Sequence, residues 1–466
     1  MGKDKKKKGQ GAAKTALKTE KKGAKKLKKE LEAKGEEDIE TLIAKFTTED
    51  KKSSTVSEEV TDPPSRRSSF VFQSHPEKEE LILFGGEFFN GVKTFMYNDL
   101  YTYNIKKNEW TLIKTPVSPP PRCAHQAVCL SQEGGQLWTF GGEFASPTQS
   151  QFYHYKDLWV YHMQSKKWEK VNASRGPSAR SGHRMCLIKR NIFVFGGYHD
   201  NLRDYKYYND VHIFNLDTYS WTKLDTIGNG PSPRSACQLT STSDGKLIVY
   251  GGYSKIKNKK ESDSGIAHCD MFSLHQDNHD QNKWKWMQVK QSGLRPSPRS
   301  GFSLTKISDN KVILFGGVHD EEDDDNDEEL CGNFFNDLYQ LEVDKGQWLM
   351  ITLKSKEKTV GQKKARRRKK VTEGLEEEEG NKMAVDSSSS DEEDESLIKK
   401  NVQDLSLNPP PMQDEEDVFK VTIGPQSQAN SNVSEAGASC DTSMNMPHPR
   451  MNAACTFKVN LISFFI

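Results

Sequence analysis

Potential metal ligands crowd together once in this chain, at His268, Cys269, His275 and His279. Imidazole and thiolate groups hold zinc or copper when three or four converge on one point. His275 and His279 would share a face only on a helix. The residues around them read as a strand and its hairpin, so the four are expected to diverge. No metal and no other cofactor is therefore expected. The sequence also contains no G-x-S-x-G elbow, no Walker-type phosphate loop and no dinucleotide fingerprint. The chain is expected not to be an enzyme and to have no small-molecule substrate.

The elements that would position any such side chains are set by an internal repeat. A Gly-Gly doublet closes a short apolar run five times, at Gly85-Gly86, Gly141-Gly142, Gly196-Gly197, Gly251-Gly252 and Gly316-Gly317. Sixteen to 19 residues before each doublet stands a Pro/Arg element, ending at Arg66, Arg122, Arg180, Arg234 and Arg299. An Asp-apolar step comes after each doublet, at Asp99, Asp157, Asp210, Asp270 and Asp337. A tryptophan comes next. Trp110, Trp168, Trp221 and Trp348 each lie 11 residues past the Asp, and Trp286 lies 16 past it. The apolar runs are β-branched and aromatic and are bounded by turn residues, so each unit reads as strands. About 55 residues suit a sheet of four short strands. One such sheet cannot bury both faces alone, so neighbouring sheets are expected to pack radially. The doublets permit close backbone approach, and the tryptophans supply apolar area between sheets. His125 and His183 stand three residues after their Arg, where the other units have Ser69, Cys237 and Phe302. No ring of histidines is expected on the axis.

At these residues the chain resembles the kelch-repeat family. The resemblance implies an all-β propeller of four-stranded antiparallel blades, at about 63–118, 119–175, 176–229, 230–293 and 294–354. Oxidases with kelch-type propellers exist, but no credible set of copper ligands is present. Pro447-His-Pro-Arg450 repeats the opening element. Residues 447–466 are therefore expected to begin an incomplete sixth blade. The chain is read as a shortened, alternatively spliced form in which ring closure is open.

Residues 1–62 and 355–446 are expected to be mostly disordered, charged segments. Fourteen lysines face four acids in residues 1–34, a local net of +10 inside a chain of net charge +1. Ile39, Leu42, Ile43 and Phe46 nevertheless fall at i, i+3, i+4, i+7. That stripe is either a short helix for a partner or a clip onto the propeller, or a fluctuating helix with no fixed contact. The 355–446 segment holds KKARRRKK (363–370), EEEE (376–379) and SSSSDEEDE (387–395). The basic run suits nuclear import or weak nucleic-acid contact. Ser388, Ser389 and Ser390 each precede an acid by three residues, which makes them candidate phosphorylation sites. No secretory signal, myristoylation pattern or membrane-spanning run is visible. The eight cysteines are scattered and are expected to stay reduced in an intracellular setting, nucleus or cytoplasm.

The loops between the second and third strands of the blades are long: 87–97, 143–156, 198–208, 253–269 and 318–335. They share one face, where scaffolds concentrate function. Phe88, Phe89, Phe152 and Tyr205 are the candidate partner-binding residues on it. Tyr97, Tyr155, Tyr208 and Phe335 recur in register before the Asp step and read as framework. Lys255, Lys257, Lys259 and Lys260 oppose the acids of 321–329 on adjacent blades. The expected function is a protein-interaction scaffold with a protein partner. A substrate receptor of a ubiquitin ligase and an RNA- or ribosome-associated factor using the basic tails stay open.

Overall fold

A computed structural model describes residues 35–50, 55–200, 204–256, 264–277, 283–322 and 330–353. It also describes residues 18, 29, 31 and 280 and the short strands 421–422, 454–458 and 461–465. Five sheets stand around an axis, each built on four antiparallel strands from the centre outwards. The innermost strands are Val71–Ser74, Gln126–Leu130, Arg184–Ile188, Gln238–Ser241 and Ser303–Ser308, each lying beside the next. The hairpin Ala454–Lys458/Leu461–Phe465 takes the sixth place. Its first strand lies beside the innermost strands of blades five and one, so the inner ring closes.

Apolar side chains fill the spaces between blades. One cluster joins Ile82 and Phe84 of blade one to Leu137, Tyr161 and Trp168 of blade two. The same arrangement recurs between blades two and three, three and four, and four and five. Trp168, Trp221, Trp286 and Trp348 reach the residue just before the glycine doublet of the preceding blade. Their partners are Phe84, Phe140, Phe195 and Tyr250, with ring centroids 4.9, 5.4, 5.8 and 4.9 Å apart. Trp110 packs within blade one, 4.9 Å from Tyr103.

In blades one, two, three and five the glycine doublets separate the second strand from the hairpin after it; in blade four Gly251 and Gly252 lie within the strand Leu247–Ile256. Gly141 has φ 64° and Gly142 φ 91°. A Cβ on Gly141 would stand 2.8 Å from the Arg180 carbonyl oxygen of the next blade. One on Gly142 would stand 2.7 Å from the Cys123 carbonyl oxygen. The sites demand both the conformation and the absence of a side chain. In return, Gly142 N–H donates to the Arg180 carbonyl at 2.9 Å, tying neighbouring blades together. The Gly86–Arg122 and Gly197–Arg234 links have the same length.

Sheet membership departs from the repeat boundaries. Ser57–Thr61 pairs antiparallel with Glu109–Lys114 and becomes the outermost strand of blade one. Blade one thus begins before residue 63, within the segment expected to be mostly disordered. The sequence SEEVT hides this because an outer edge strand is solvated and carries no apolar alternation. Asp225–Ile227 likewise adds a parallel edge strand to blade four, and Ser292–Gly293 to blade five. Val421–Thr422 extends the outer edge of blade five through Thr352 and Leu353. The remainder of 355–446, including 363–370 and Ser388, Ser389 and Ser390, lies outside the described residues.

Candidate interaction face

Each blade holds its opening arginine and its aspartate in an internal clamp. The opening arginine is buried in every blade, at 0–5% exposure. Arg180 shows the pattern. Its guanidinium donates to Asp210 Oδ1 and Oδ2 at 2.7 and 3.2 Å, to the Gly196 carbonyl at 2.9 Å and to Ser178. It also lies 4.0 Å over the Tyr208 ring. Arg122 repeats this with Asp157, Gly141 and Tyr155. Arg299 does so with Asp337, Gly316 and Phe335. In blade one the clamp belongs to Arg67 and not Arg66, since Arg67 bonds Asp99 and Gly85 and covers Tyr97. Two adjacent arginines left that register open, and the matching position three residues on is Phe70 rather than Ser69. In blade four Arg234 meets Asp270, and His268 stands where the other blades have Tyr or Phe. His268 Nε2 lies 2.8 Å from Ser254 Oγ, and the ring facing Arg234 is that of Phe272 at 6.0 Å. Burial and then the Arg234 charge lower the His268 pKa to about 4.

The candidate metal ligands among the described residues do not converge. His268 and His275 are seven residues apart on one strand, about 23 Å at the usual rise. Cys269 is exposed, and His279 lies outside the described residues. Among the described residues no group of three or more His, Cys, Asp or Glu is placed to hold a metal. His125 and His183 are buried, edge-on to Phe84 and Phe140 at 5.3 and 5.2 Å. Burial and the adjacent arginines, Arg122 and Arg180, hold both well below the usual histidine range.

The loops between second and third strands are hairpins on one face. They are Glu87–Phe89/Thr94–Met96, Glu143–Ala145/Phe152–His154, Tyr198–Asp200/Tyr205–Tyr207 and Val318–Glu322/Leu330–Phe334. In blade four the two long strands simply continue, with a bulge at Gly251. This places Phe88 and Phe89 on blade one, Phe152 on blade two and Tyr205 on blade three. Phe89 is 51% exposed, and Phe95, Tyr153 and Phe334 are also exposed. Phe88 stacks on Phe95 with centroids 6.5 Å apart. Tyr205 joins Tyr198 and Tyr207 in a ring cluster. Lys257, Lys259, Lys260 and residues 323–329 lie outside the described residues.

A helix, α1 (Ile39–Asp50), lies across this face. Ile39, Leu42, Ile43 and Phe46 pack against Met96, Phe144, Ala145 and Tyr155, with Phe152 at the margin. Phe46 meets Phe144 edge-on at 6.1 Å. Asp38 caps the helix, accepting the Glu40 N–H at 3.2 Å. The propeller supplies a second cap: buried Gln151 accepts the Ile39 N–H at 3.1 Å and donates to the Glu37 carbonyl at 2.8 Å. Glu36 accepts from Thr148 Oγ1 at 2.8 Å. Beside the helix start lies a polar cluster. Ser181 Oγ donates to Glu143 Oε2 at 2.9 Å, and the Asp200 N–H donates to His154 Nε2 at 3.1 Å. Burial pushes the Glu143 carboxyl up to about 7 against the Ser181 bond. Burial and neighbouring His199 lower His154 to about 4. The stripe was readable from spacing. Gln151 and the groove were not, because the groove is assembled from two different blades.

The family model of the KLHDC2/KLHL20/DRC7 Kelch-repeats domain matches residues 72–317. The chain belongs to this kelch family. Its kelch region is similar to Host cell factor of Drosophila melanogaster, 27% identical over 317 residues, 62% of this chain and 19% of that protein. It is also similar to Acyl-CoA-binding domain-containing protein 5 of Arabidopsis thaliana, 27% identical over 52% of this chain and 34% of that protein. Host cell factor 1 of Homo sapiens is 29% identical over 52% of this chain and 11% of that protein. The kelch chain therefore spans at most about a third of the length of these relatives. A solved structure titled "Structure of YjhT" aligns with TM-score 0.46 and 16% identity, over 63% of this chain and 86% of that one. Among the described residues no helix is long and apolar enough to cross a membrane.

Proposed function

We propose that this kelch protein is a non-enzymatic interaction scaffold whose partner docks on the hairpin face. Kelch propellers are generally protein-interaction domains. One observation carries the reading: the opening arginines and their aspartates are consumed inside the blades, while large aromatics are left exposed on one face. Exposed aromatics flanked by polar groups are the usual anchors of protein interfaces. Phe88, Phe89 and Tyr205 are available as anchors, and Phe152 becomes fully available once α1 is moved. The lysine-rich start resembles that of kelch domain-containing protein four, and we place the chain near that type. Action in the nucleus or cytoplasm, import through KKARRRKK and phosphorylation at Ser388, Ser389 and Ser390 belong to the same proposal.

Proximity labelling with the full chain would identify the partner. Pull-down with Phe88, Phe89, Phe152 and Tyr205 replaced by Ala should then lose it at every salt concentration, with blade melting unchanged. Neutralising the acids of 321–329 should weaken binding mainly at low salt, because exposed charges are screened beyond about 8–10 Å at physiological ionic strength. Normal binding by both variants, with loss on altering the opposite face, would overturn the choice of face.

A further inference from the structure

We propose that the groove between the hairpins of blades one and two is a receptor for an amphipathic helix, filled in cis by α1 and open to a partner helix of the same pattern. This rests on the scaffold reading and names the partner chemistry at part of the same face.

The groove reads three features of a helix. Its apolar floor of Met96, Phe144, Ala145 and Tyr155 takes a stripe at i, i+3, i+4 and i+7. Gln151, only 4% exposed, addresses the backbone at the helix start through one accepted and one donated bond. The accepted bond satisfies an N–H that every helix N-terminus leaves free, and both bonds go to backbone atoms, so they are indifferent to sequence. Thr148 accommodates a carboxylate just before the helix, from both its N–H and its hydroxyl. Together these select an apolar stripe preceded by an acid.

The present occupant is held loosely. Twelve residues make a helix that is marginal on its own. Its four stripe residues are only half-buried. Clefts of about 460 and 470 Å³ remain along its two flanks, one beside Leu42 and Phe46 and the other beside Ile39. Phe95, 45% exposed, walls the first cleft and is left for a larger occupant to cover. What favours α1 is its tether. It is joined through residues 51–56 to the edge strand Ser57–Thr61 of blade one. A short tether gives an effective concentration in the millimolar range. A helix in trans competes against that concentration, and a groove freed of α1 does not impose it.

The test uses the full chain and a labelled peptide of residues 36–50. Ile43→Asp with Phe46→Asp in the full chain should release α1 while leaving the blades intact, checked by unchanged tryptophan fluorescence and melting. In fluorescence anisotropy the peptide should bind this variant at least tenfold tighter than the parent chain. The same peptide carrying both Asp substitutions should bind neither. Adding Gln151→Ala to the released chain should weaken the peptide severalfold, a loss that a merely sticky apolar surface would not show. Failure of the peptide to bind the released chain, or equal binding to parent and variant, overturns the proposal. A parent dimer that the double variant loses would assign α1 to a second copy and also overturn it. Peptide binding by a released chain that recovers no cellular protein would sink the scaffold reading and leave the helix receptor standing.

Discussion

Removing one carboxylate from a blade clamp should show how tightly each blade is bound to its own opening element. Asp210→Ala leaves the Arg180 guanidinium, fully buried, with carbonyl and Ser178 contacts but no counter-charge. Breaking a buried pair from one side costs about 3–5 kcal/mol. Asp210 keeps 21% side-chain exposure, so water can approach the vacated place and the lower end, about 3 kcal/mol, is expected. At ~2–4 °C per kcal/mol for a domain of a few hundred residues, the melting midpoint should fall by ~6–12 °C. Acid should remove the difference. Burial raises the Asp210 carboxyl, but the Arg180 hydrogen bonds and charge outweigh it and hold it below its ordinary value of 3.8. A depressed folded-state pKa contributes stability that is present above the unfolded value and lost as pH falls through the folded one. The variant's deficit should therefore persist at pH 7 and shrink only below about pH 4. Pairing Asp210→Ala with Arg180→Met should cost less than the two single changes together, by about 1–3 kcal/mol. Differential scanning calorimetry or thermal fluorescence at pH 7 and pH 3.5 provides the readout. A deficit under about 1 kcal/mol, or strictly additive single changes, would refute the clamp as a coupled unit.

Trp221→Ala should destabilise the propeller by about 3–5 kcal/mol, since Trp221 is 6% exposed and bridges Phe140 of blade two and Phe214 of blade three; an unchanged melting temperature would contradict the interblade role. Glu143→Gln tests the polar cluster beside α1. Because the Glu143 pKa is raised from 4.5 to about 7, its contribution is fully present below the unfolded value and is lost as pH rises through the folded one. The Gln variant should gain stability relative to the parent between pH 4.5 and 7 and keep that gain above it; a difference that stays flat across melts at pH 4.5, 6 and 8 would exclude the burial argument.

Repeated local chemistry was sufficient to read the propeller. A Gly-Gly doublet, an Asp step and a Trp recurring in order describe one sheet, and stacking five copies is the direct way to bury what each leaves exposed. His268 was singled out by its neighbours in sequence, although its place in the repeat made it the counterpart of Tyr97, Tyr155 and Tyr208. The clamp was half legible: Arg and Asp both recur, but 30–38 residues separate them within a blade, and only the folded sheet brings them within hydrogen-bond distance. Ser57–Thr61 left no apolar trace, because an outer edge strand is held by its backbone ladder and its side chains stay in water.

Local periodicity also determined that residues 39–46 present one apolar stripe. Where that stripe goes was decided by tertiary structure alone. The groove that receives it takes Met96 from blade one and Phe144, Gln151 and Tyr155 from blade two, and the sequence distance between those side chains says nothing about their distance in space. The same holds at the sixth place. The strands Ala454–Lys458 and Leu461–Phe465 pair with each other, but their position between the innermost strands of blades five and one is set by the ring. Propensity and pattern act over a few residues, whereas the closure of a ring and the covering of a groove depend on surfaces that exist only after the blades have packed.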